Sequence, residues 1–125
     1  MNNENITQTV ILIKNGKYIE YYNNGINIYS ESYYVNNQLH RDGNEGPAYI
    51  YYFHNGNIFS KSYYQHNKLH RCDGPAEIYY YYDKNVNKSV INFERYFVNG
   101  IEYTDDLCYC VAVGCYLGDE KEKIL

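Results

Sequence analysis

A histidine–arginine pair occurs twice in the chain, each time shortly before a Gly-Pro-Ala segment. The pairs are His40-Arg41 and His70-Arg71. An imidazole exchanges a proton near neutral pH, and a guanidinium binds phosphate through paired hydrogen bonds. One interpretation of the pairs is therefore an acid–base or phosphate-binding site.

The alternative interpretation of the pairs is structural. In it, histidine and the following aspartate bond to the loop backbone, while arginine pairs with a neighbouring acid. A catalytic site is usually needed once, so the repetition favours structure, and we predict a non-enzymatic protein with no catalytic residue. The predicted structural motif consists of His40, Arg41, Asp42, Gly46, Pro47, His70, Arg71, Asp73, Gly74 and Pro75.

A metal site is the next candidate, because His66, His70 and Cys72 are spaced by four and two residues. Metal ligands must converge within about 2–2.3 Å of one ion. Four residues of an extended strand span about 13 Å, so these side chains converge only if the loop folds back. We therefore expect neither a metal nor a cofactor.

The four cysteines are predicted to be free thiols, because the N terminus shows no secretory pattern and disulfides are rare in reducing compartments. Cys108, Cys110 and Cys115 fall in a segment with helical spacing. We interpret them as small buried hydrophobic residues.

An internal repeat surrounds the histidine–arginine pairs. Gly46-Pro47-Ala48 returns 28 positions later as Gly74-Pro75-Ala76. The residues that return after 30 positions are Ile28, Ser30, Ser32, Tyr33, Tyr34, Asn37, Leu39, His40 and Arg41. We predict one repeat domain over 1–125, with good units at about 21–50 and 51–78 and degenerate units at 10–20 and 79–103.

Each unit is predicted to be a β-hairpin. Asn24-Gly25 and Asn55-Gly56 lie between β-prone runs, and Asn-Gly favours a tight primed turn with positive φ at both central residues. The fold class is therefore all-β: an elongated antiparallel meander with a short C-terminal capping helix at 105–117 and a tail at 119–125. The predicted strands are 7–14, 18–23, 27–37, 47–54, 58–67, 76–83, 89–98 and 101–104.

Strand alternation assigns the side chains to two faces. The first face is predicted to carry Ala48, Ile50, Tyr52, Ala76, Ile78 and Tyr80, joined by Ile58, Ser60, Ser62 and Tyr64. The second is predicted to carry Tyr49, Tyr51, Phe53, Phe59, Tyr63, Tyr79 and Tyr81, with Lys61 and Glu77 between them.

Composition limits the functional classes. The 125 residues include 19 tyrosines and no tryptophan, and the net charge is −4 from 15 acidic and 11 basic residues. We expect no nucleic-acid partner, because such proteins carry a basic patch. We expect no membrane span, because no apolar run approaches the required ~20 residues. The expected location is the cytoplasm.

The segment at 7–14 is predicted to be the N-terminal edge strand. It contains four consecutive apolar residues, Val10, Ile11, Leu12 and Ile13. An open apolar edge favours strand addition by another chain. We therefore expect a homo-oligomer or a protein partner at this edge.

The combination of Tyr-x-x-Asn-Gly, Tyr-Tyr, Leu-His-Arg and Asp-Gly-Pro-Ala resembles the MORN-repeat group, and most closely the MORN-repeat variants. These occur in giant DNA viruses and among bacterial antitoxin-like proteins. The resemblance covers about residues 15–103, but the unit here has about 30 residues instead of about 23. Asn37 and Asn67 also replace the second glycine.

The resemblance implies hairpin repeats in an extended sheet, a role in scaffolding or partner binding, and a host-cytoplasmic or virion location if the source is viral. Two functions are expected from these observations. The first is a scaffold or self-associating interaction module, and the alternative is an antitoxin- or immunity-like inhibitor that masks a partner protein.

Overall fold

An open antiparallel β-sheet carries most of the regular structure. The computed structural model describes residues 12–104 and 106–116, with the side chains of 106–108 and 115–116 left out. One helix, α1 (Asp106–Tyr116), follows the strands. The strands are β1 (Gly16–Tyr21), β2 (Ile28–Val35), β3 (Gln38–Leu39), β4 (Tyr49–Tyr52), β5 (Ile58–Ser62), β6 (Tyr64–Gln65), β7 (Lys68–Leu69), β8 (Glu77–Asp83), β9 (Lys88–Val98) and β10 (Ile101–Tyr103).

The strands follow one another across the sheet in the order β1-β2-β4-β5-β8-β9-β10, with β3 paired to the end of β2. Strands β6 and β7 form a separate two-stranded ribbon. All these pairings are antiparallel. The predicted all-β meander is confirmed, and α1 falls within the predicted helix at 105–117.

The tight primed turns do not lie where the sequence analysis placed them. Consecutive residues with positive φ occur at Asn36-Asn37, His66-Asn67 and Asn99-Gly100. At Asn24-Gly25 and Asn55-Gly56 only the glycines have positive φ, 70° and 90°. Both segments connect hairpins, but with longer loops, in which a single left-handed glycine follows the turn. The predicted turn geometry was wrong, although the predicted hairpins are present.

Serines and tyrosines alternate across one face of the sheet. Tyr51 pairs with Ser30 on one side and with Ser60 on the other. One row over, Tyr49 pairs with Ser32 and Ser62. All four serines are buried, with exposures of 0–8%. A small residue between two tyrosines leaves room for the rings to lie over the strands.

The opposite face carries a row that alternates isoleucine with charge. Its members, in order across six strands, are Ile19, Glu31, Ile50, Lys61, Ile78 and Glu94. Ile50 and Ile78 share a face as predicted. Ser60, Ser62 and Lys61 were assigned to the wrong faces, because in antiparallel strands directly paired residues lie on the same side. Tyr64 was also assigned wrongly, since it lines a groove with Ser60, Ser62 and Tyr79.

A bulge explains why Phe59 nevertheless lies with the tyrosines. The register between β4 and β5 shifts between Tyr51 and Tyr52, which leaves Phe59 as the extra residue of β5. Its ring contacts that of Tyr79, with centroids 5.9 Å apart. A bulge breaks strict alternation, so neighbouring side chains point to the same face.

The described edge of the sheet is β1 and not the segment predicted at 7–14. Leu12 and Ile13 are 81% and 57% exposed and lie outside any strand. Val10 and Ile11 lie outside the described residues. All six residues of β1 are exposed. The edge strand was predicted from the apolar run at 10–13. The edge strand of the structure is instead the segment that pairs with β2.

Helix α1 packs against β9 and β10. The Tyr109 ring meets Tyr96 of β9 at a centroid distance of 4.8 Å. Its hydroxyl accepts the Gly74 N–H at 3.1 Å and lies 2.8 Å from the Arg71 carbonyl oxygen. Within the described part of the chain, no helix has the length and apolar character needed to cross a membrane.

We expect Ser60→Leu to destabilise the fold, because Ser60 is 2% exposed beneath the tyrosines. Overpacking of this kind costs about 1–3 kcal/mol. Ser60→Ala is the matched control, since it keeps the volume small, and its loss should be clearly smaller. Urea unfolding at constant m-value measures both. Equal losses would contradict the packing argument.

Candidate functional site

Two loops hold the histidine–arginine pairs and are called the repeat loops, residues 40–48 and 70–76. Each begins with a backbone hydrogen bond from histidine back to a tyrosine, His40 to Tyr33 and His70 to Tyr63. Each then ends at a fully buried alanine, Ala48 or Ala76. The sequence repeat is thus also a geometric repeat.

The arginine of each repeat loop folds back over its own loop. The Arg41 guanidinium carbon lies 3.8 Å from the Tyr33 ring centroid, and Nη1 donates to the Pro47 carbonyl at 3.1 Å. Arg71 makes the same contacts, 4.0 Å to Tyr63 and 3.0 Å to Pro75. Arg71 also pairs with exposed Asp73 at 3.1 Å. Cation–π contact and carbonyl bonding together fix the guanidinium inside the loop.

The glycine before each proline makes room for this arginine. An added Cβ at Gly46 would lie 2.8 Å from Arg41 Nη1, and one at Gly74 would lie 3.0 Å from Arg71 Cζ. Both glycines also have positive φ, 131° and 159°. Close approach and backbone conformation therefore both require glycine here.

The Nδ1 atoms of both histidines reach the next tight turn of the chain, not their own loop. Nδ1 of His40 accepts the His66 N–H at 3.2 Å, and Nδ1 of His70 accepts the Asn99 N–H at 3.0 Å. Asn15 does the same for Asn36 through Oδ1, at 2.8 Å. These three side-chain bonds are called the turn clamps.

A backbone bond completes each turn clamp. The second left-handed residue of each turn, Asn37, Asn67 or Gly100, donates its N–H to a carbonyl of the preceding unit. The acceptors are Lys14, Leu39 and Leu69, at 2.8–2.9 Å. Both N–H groups that a tight turn directs outward are thereby bonded.

The turn clamp fixes the chemistry of His70. A neutral imidazole has one donor and one acceptor nitrogen, so a ring that accepts at Nδ1 carries its proton on Nε2. Nε2 lies 3.4 Å from Cys72 Sγ and therefore donates to the sulfur. In this tautomer His70 does not take the thiol proton. Burial, followed by the charge of Asp73, raises the pKa of the Cys72 thiol, which disfavours the reactive thiolate.

The residues proposed as metal ligands separate into two pairs. His66 lies against His40, with ring centroids 4.5 Å apart, whereas Cys72 lies beside His70. Among the described residues, no group of three or more His, Cys, Asp or Glu side chains is placed to hold a metal ion. Cys72 and Cys110 are free thiols, and the side chains of Cys108 and Cys115 lie outside the described residues.

A second candidate site is the aromatic surface over the serine rows. It is called the tyrosine face and comprises Tyr22, Tyr29, Tyr49, Tyr51, Phe53, Phe59, Tyr79 and Phe93. One run of ring contacts joins Tyr22, Tyr29, Tyr51 and Tyr49 at 4.7–5.3 Å. A second run joins Phe53, Phe59, Tyr79 and Phe93 at 4.7–5.9 Å.

Two shallow grooves cross the tyrosine face. One has a volume of about 320 Å³ and runs between Tyr29 and Phe59, and the other, of about 250 Å³, runs between Tyr49 and Tyr79. Tyr51 and Phe59 line both. Tyr29, Phe59 and Phe93 remain 39–47% exposed. The face offers rigid rings that are only partly covered.

The hydroxyls of Tyr51 and Tyr79 stay protonated at neutral pH. A hydrogen bond with Tyr49, followed by burial, raises the pKa of Tyr51. Burial and the nearby Glu77 carboxylate raise the pKa of Tyr79. Neutral phenols donate and accept hydrogen bonds, so the grooves combine apolar walls with polar tips.

Sequence reasoning found the repeat-loop residues but missed Asn15, and it gave the tyrosine face no binding role. The signal for Asn15 was weak, because the side chain differs from histidine and lies 25 residues before His40. Strand alternation placed Tyr49, Tyr51, Phe53, Phe59 and Tyr79 on one face, but no sequence motif marks that face as a binding surface. Compared with known proteins, the chain matches no family model, no curated protein and no solved structure.

We expect Gly46→Ala to destabilise the protein more than Gly43→Ala. At Gly46 the new Cβ meets Arg41 in a positive-φ backbone, whereas at Gly43 nothing lies within 4 Å and φ is not left-handed. Strain of this type costs about 1–3 kcal/mol. Urea unfolding measures both variants, and equal stabilities would contradict the arginine packing.

We expect His70 to make stability pH-dependent. Burial lowers its pKa in the folded protein, so the folded state binds this proton less readily than the unfolded chain. The stability is fully present above pH ~6.5, the unfolded pKa, and falls as pH drops toward the folded pKa. Protonation also removes the Nδ1 acceptor for Asn99.

His70→Asn is the matched variant for this effect, because Asn15 shows that a carboxamide can hold the same clamp. The urea midpoint of the wild type should fall between about pH 7 and 5, while that of the variant should change less. Parallel pH profiles for the two proteins would exclude His70 as the source.

Proposed function

We propose that the chain is a non-enzymatic protein-interaction module, a scaffold that binds a protein partner through its tyrosine face. The observation that carries the proposal is the pair of half-exposed aromatic grooves, which share Tyr51 and Phe59. Tyrosine and phenylalanine are enriched in protein interfaces, and tyrosine is frequent at their energetic centres.

The rigidity of the tyrosine face supports this proposal. Its rings lie over buried serines and contact one another edge-on or stacked. Side chains that are already ordered lose less conformational entropy when a partner binds. A rigid aromatic surface is therefore favourable for binding before any partner contact is made.

The contacts of the repeat loops also favour binding over catalysis. Arg41 and Arg71 are held by ring and carbonyl contacts of their own loops. His70 uses Nδ1 for the turn clamp. These structural contacts account for the repetition of the side chains in both loops. The net charge of −4 favours a protein partner over a nucleic acid.

The MORN-variant resemblance supports the same class of function, since it implies scaffolding or partner binding. It also leaves the inhibitor alternative, in which the partner is a single toxin or enzyme that the chain masks. Both functions use a protein–protein interface. The identity and stoichiometry of the partner distinguish them.

We expect the double variant Tyr29→Ala/Phe59→Ala to lose a partner captured from native cells by the wild-type protein. Truncation of two central aromatic anchors typically costs at least about 2 kcal/mol, or roughly thirtyfold in affinity. Quantitative pull-down with mass spectrometry measures the loss. A single stoichiometric enzyme or toxin would favour the inhibitor function.

Val86→Ala is the matched control, because Val86 is 53% exposed in the β8–β9 connection, away from the tyrosine face. Circular dichroism should show folded β-structure in both variants. The control should capture the partner like the wild type. Capture that survives in the double variant would place the interface elsewhere and contradict the proposal.

A further inference from the structure

The sheet has two open edges at opposite ends of the strand order. Within residues 12–104 and 106–116, β1 pairs with β2 and with no other strand. At the far end, β10 covers only residues 96–98 of β9. In the described chain the outer edge of β9 is therefore open from Lys88 to Arg95.

These two edges are the places where the repeat stops. Glu31 of β2 pairs with Ile50 of β4, and in the next unit Lys61 of β5 pairs with Ile78 of β8. Strands β2, β5 and β9 are thus equivalent, as are β1, β4 and β8. The next pair in this series would join Glu94 of β9 to a strand equivalent to β1.

The backbone of Glu94 is directed toward its open edge. The Arg95 carbonyl accepts a hydrogen bond from Ala76, which precedes β8. In a strand, neighbouring residues direct their N–H and C=O groups to opposite sides. The polar backbone groups of Glu94 therefore point away from β8.

Ile19 is oriented in the same way at the other edge. Tyr33 N–H bonds to Ala48 on the β4 side, so Glu31, two residues earlier, also points toward β4. The pair Ile19–Glu31 consequently does not exchange hydrogen bonds between β1 and β2. The N–H and C=O of Ile19 point to the open edge.

The isoleucine–charge row gives the two edges complementary side chains. It begins with Ile19 on β1 and ends with Glu94 on β9. Placing Ile19 of a second copy beside Glu94 continues the alternation without interruption. Lys17 of that copy then lies diagonal to Glu94 on the same face, and Glu20 lies diagonal to Arg95 on the other.

We propose that the chain associates with itself head to tail, with β1 of one copy pairing antiparallel to the open edge of β9 of the next. The register places Ile19 opposite Glu94, Tyr18 opposite Arg95 and Glu20 opposite Phe93. The contact is heterologous, so each dimer keeps one open β1 and one open β9 and adds further copies.

Helix α1 leaves this edge accessible. It packs near Tyr96, whereas residues 91–94 are exposed and Phe93 is 47% exposed. The new pair would form beside residues 93–95. An exposed edge with unpaired backbone groups is a template for strand addition.

Proline variants test the proposal, because each removes one outward N–H and leaves the internal ladder of the sheet bonded. Sedimentation velocity of the wild type should show mass increasing with concentration. Ile19→Pro alone and Glu94→Pro alone should each be monomeric. Their equimolar mixture should form a dimer that does not grow, because one copy retains β1 and the other retains β9.

Ile19→Val is the matched control at β1 and should associate like the wild type. Glu94→Gln keeps the outward N–H but loses the charge facing Lys17, so it should still form assemblies, more weakly than the wild type. A charge pair provides a second test if a proline variant lacks the β-sheet signal in circular dichroism. Lys17→Glu and Glu94→Lys should each weaken association several-fold, and the double variant should recover it.

Three results would overturn the proposal. The first is a wild type that stays monomeric up to its solubility limit. The second is a dimer formed by either folded proline variant alone, which would indicate a symmetric contact. The third is a double charge variant no better than the single ones. Loss of partner capture by Tyr29→Ala/Phe59→Ala leaves this inference unaffected, since neither residue lies on β1 or β9.

Discussion

The turn clamps are the interaction on which the rest of the structure depends. A primed turn places two consecutive residues at positive φ, and both of their N–H groups point away from the hairpin. Each such pair bonds to the preceding unit, one N–H to a side chain and one to a carbonyl. Each of these three turns is therefore bonded to the unit before it, which couples neighbouring units as in other repeat proteins.

The turn clamp explains why histidine recurs at this position, where an acid or a lysine would not provide the required neutral acceptor. The position needs a neutral acceptor at a fixed reach, and both imidazole and carboxamide provide one. His70 is 6% exposed, so a charged side chain would also pay a large desolvation cost there. Asn15 fills the same position at the first turn, where the chain has no repeat loop.

The rows of alternating serine and tyrosine stabilise a thin sheet that has no large apolar core. The buried hydrophobic residues are few and include small ones, Ala48 and Ala76 at 0% exposure. Tyrosine rings shield the strands from water on one side and keep their hydroxyls at the surface. The same arrangement leaves an ordered aromatic surface, so the side chains that stabilise the sheet are also those that we propose for partner binding.

The repeat, the helix and the strands other than the one expected at 7–14 could be predicted from sequence, because identities at a fixed spacing and helical periodicity report directly on regular elements. The faces on which Ser60 and Lys61 lie could not be predicted. The bulge at Phe59 moves one residue out of alternation, and nothing in the composition indicates it. The prediction of the turn geometry was wrong for a related reason. Asn-Gly permits a primed turn, but loop length decided the geometry, and His66-Asn67 took that conformation instead.

The degenerate unit at 79–103 departs from the repeat at β9, which no further unit follows in the described chain. Ser32 and Ser62 lie beneath Tyr49, but the equivalent residue on β9 is Arg95, which has no tyrosine strand beyond it in the described chain. Arg95 instead bonds to Glu77 at 3.1 Å and to Glu102 at 3.0 Å. Glu77 has a side chain only 10% exposed, so an unpaired carboxylate there would be costly. The side chains of β9 and β10 thus complete the buried face, while the outer backbone edge of β9 from Lys88 to Arg95 stays open to pairing in the described chain.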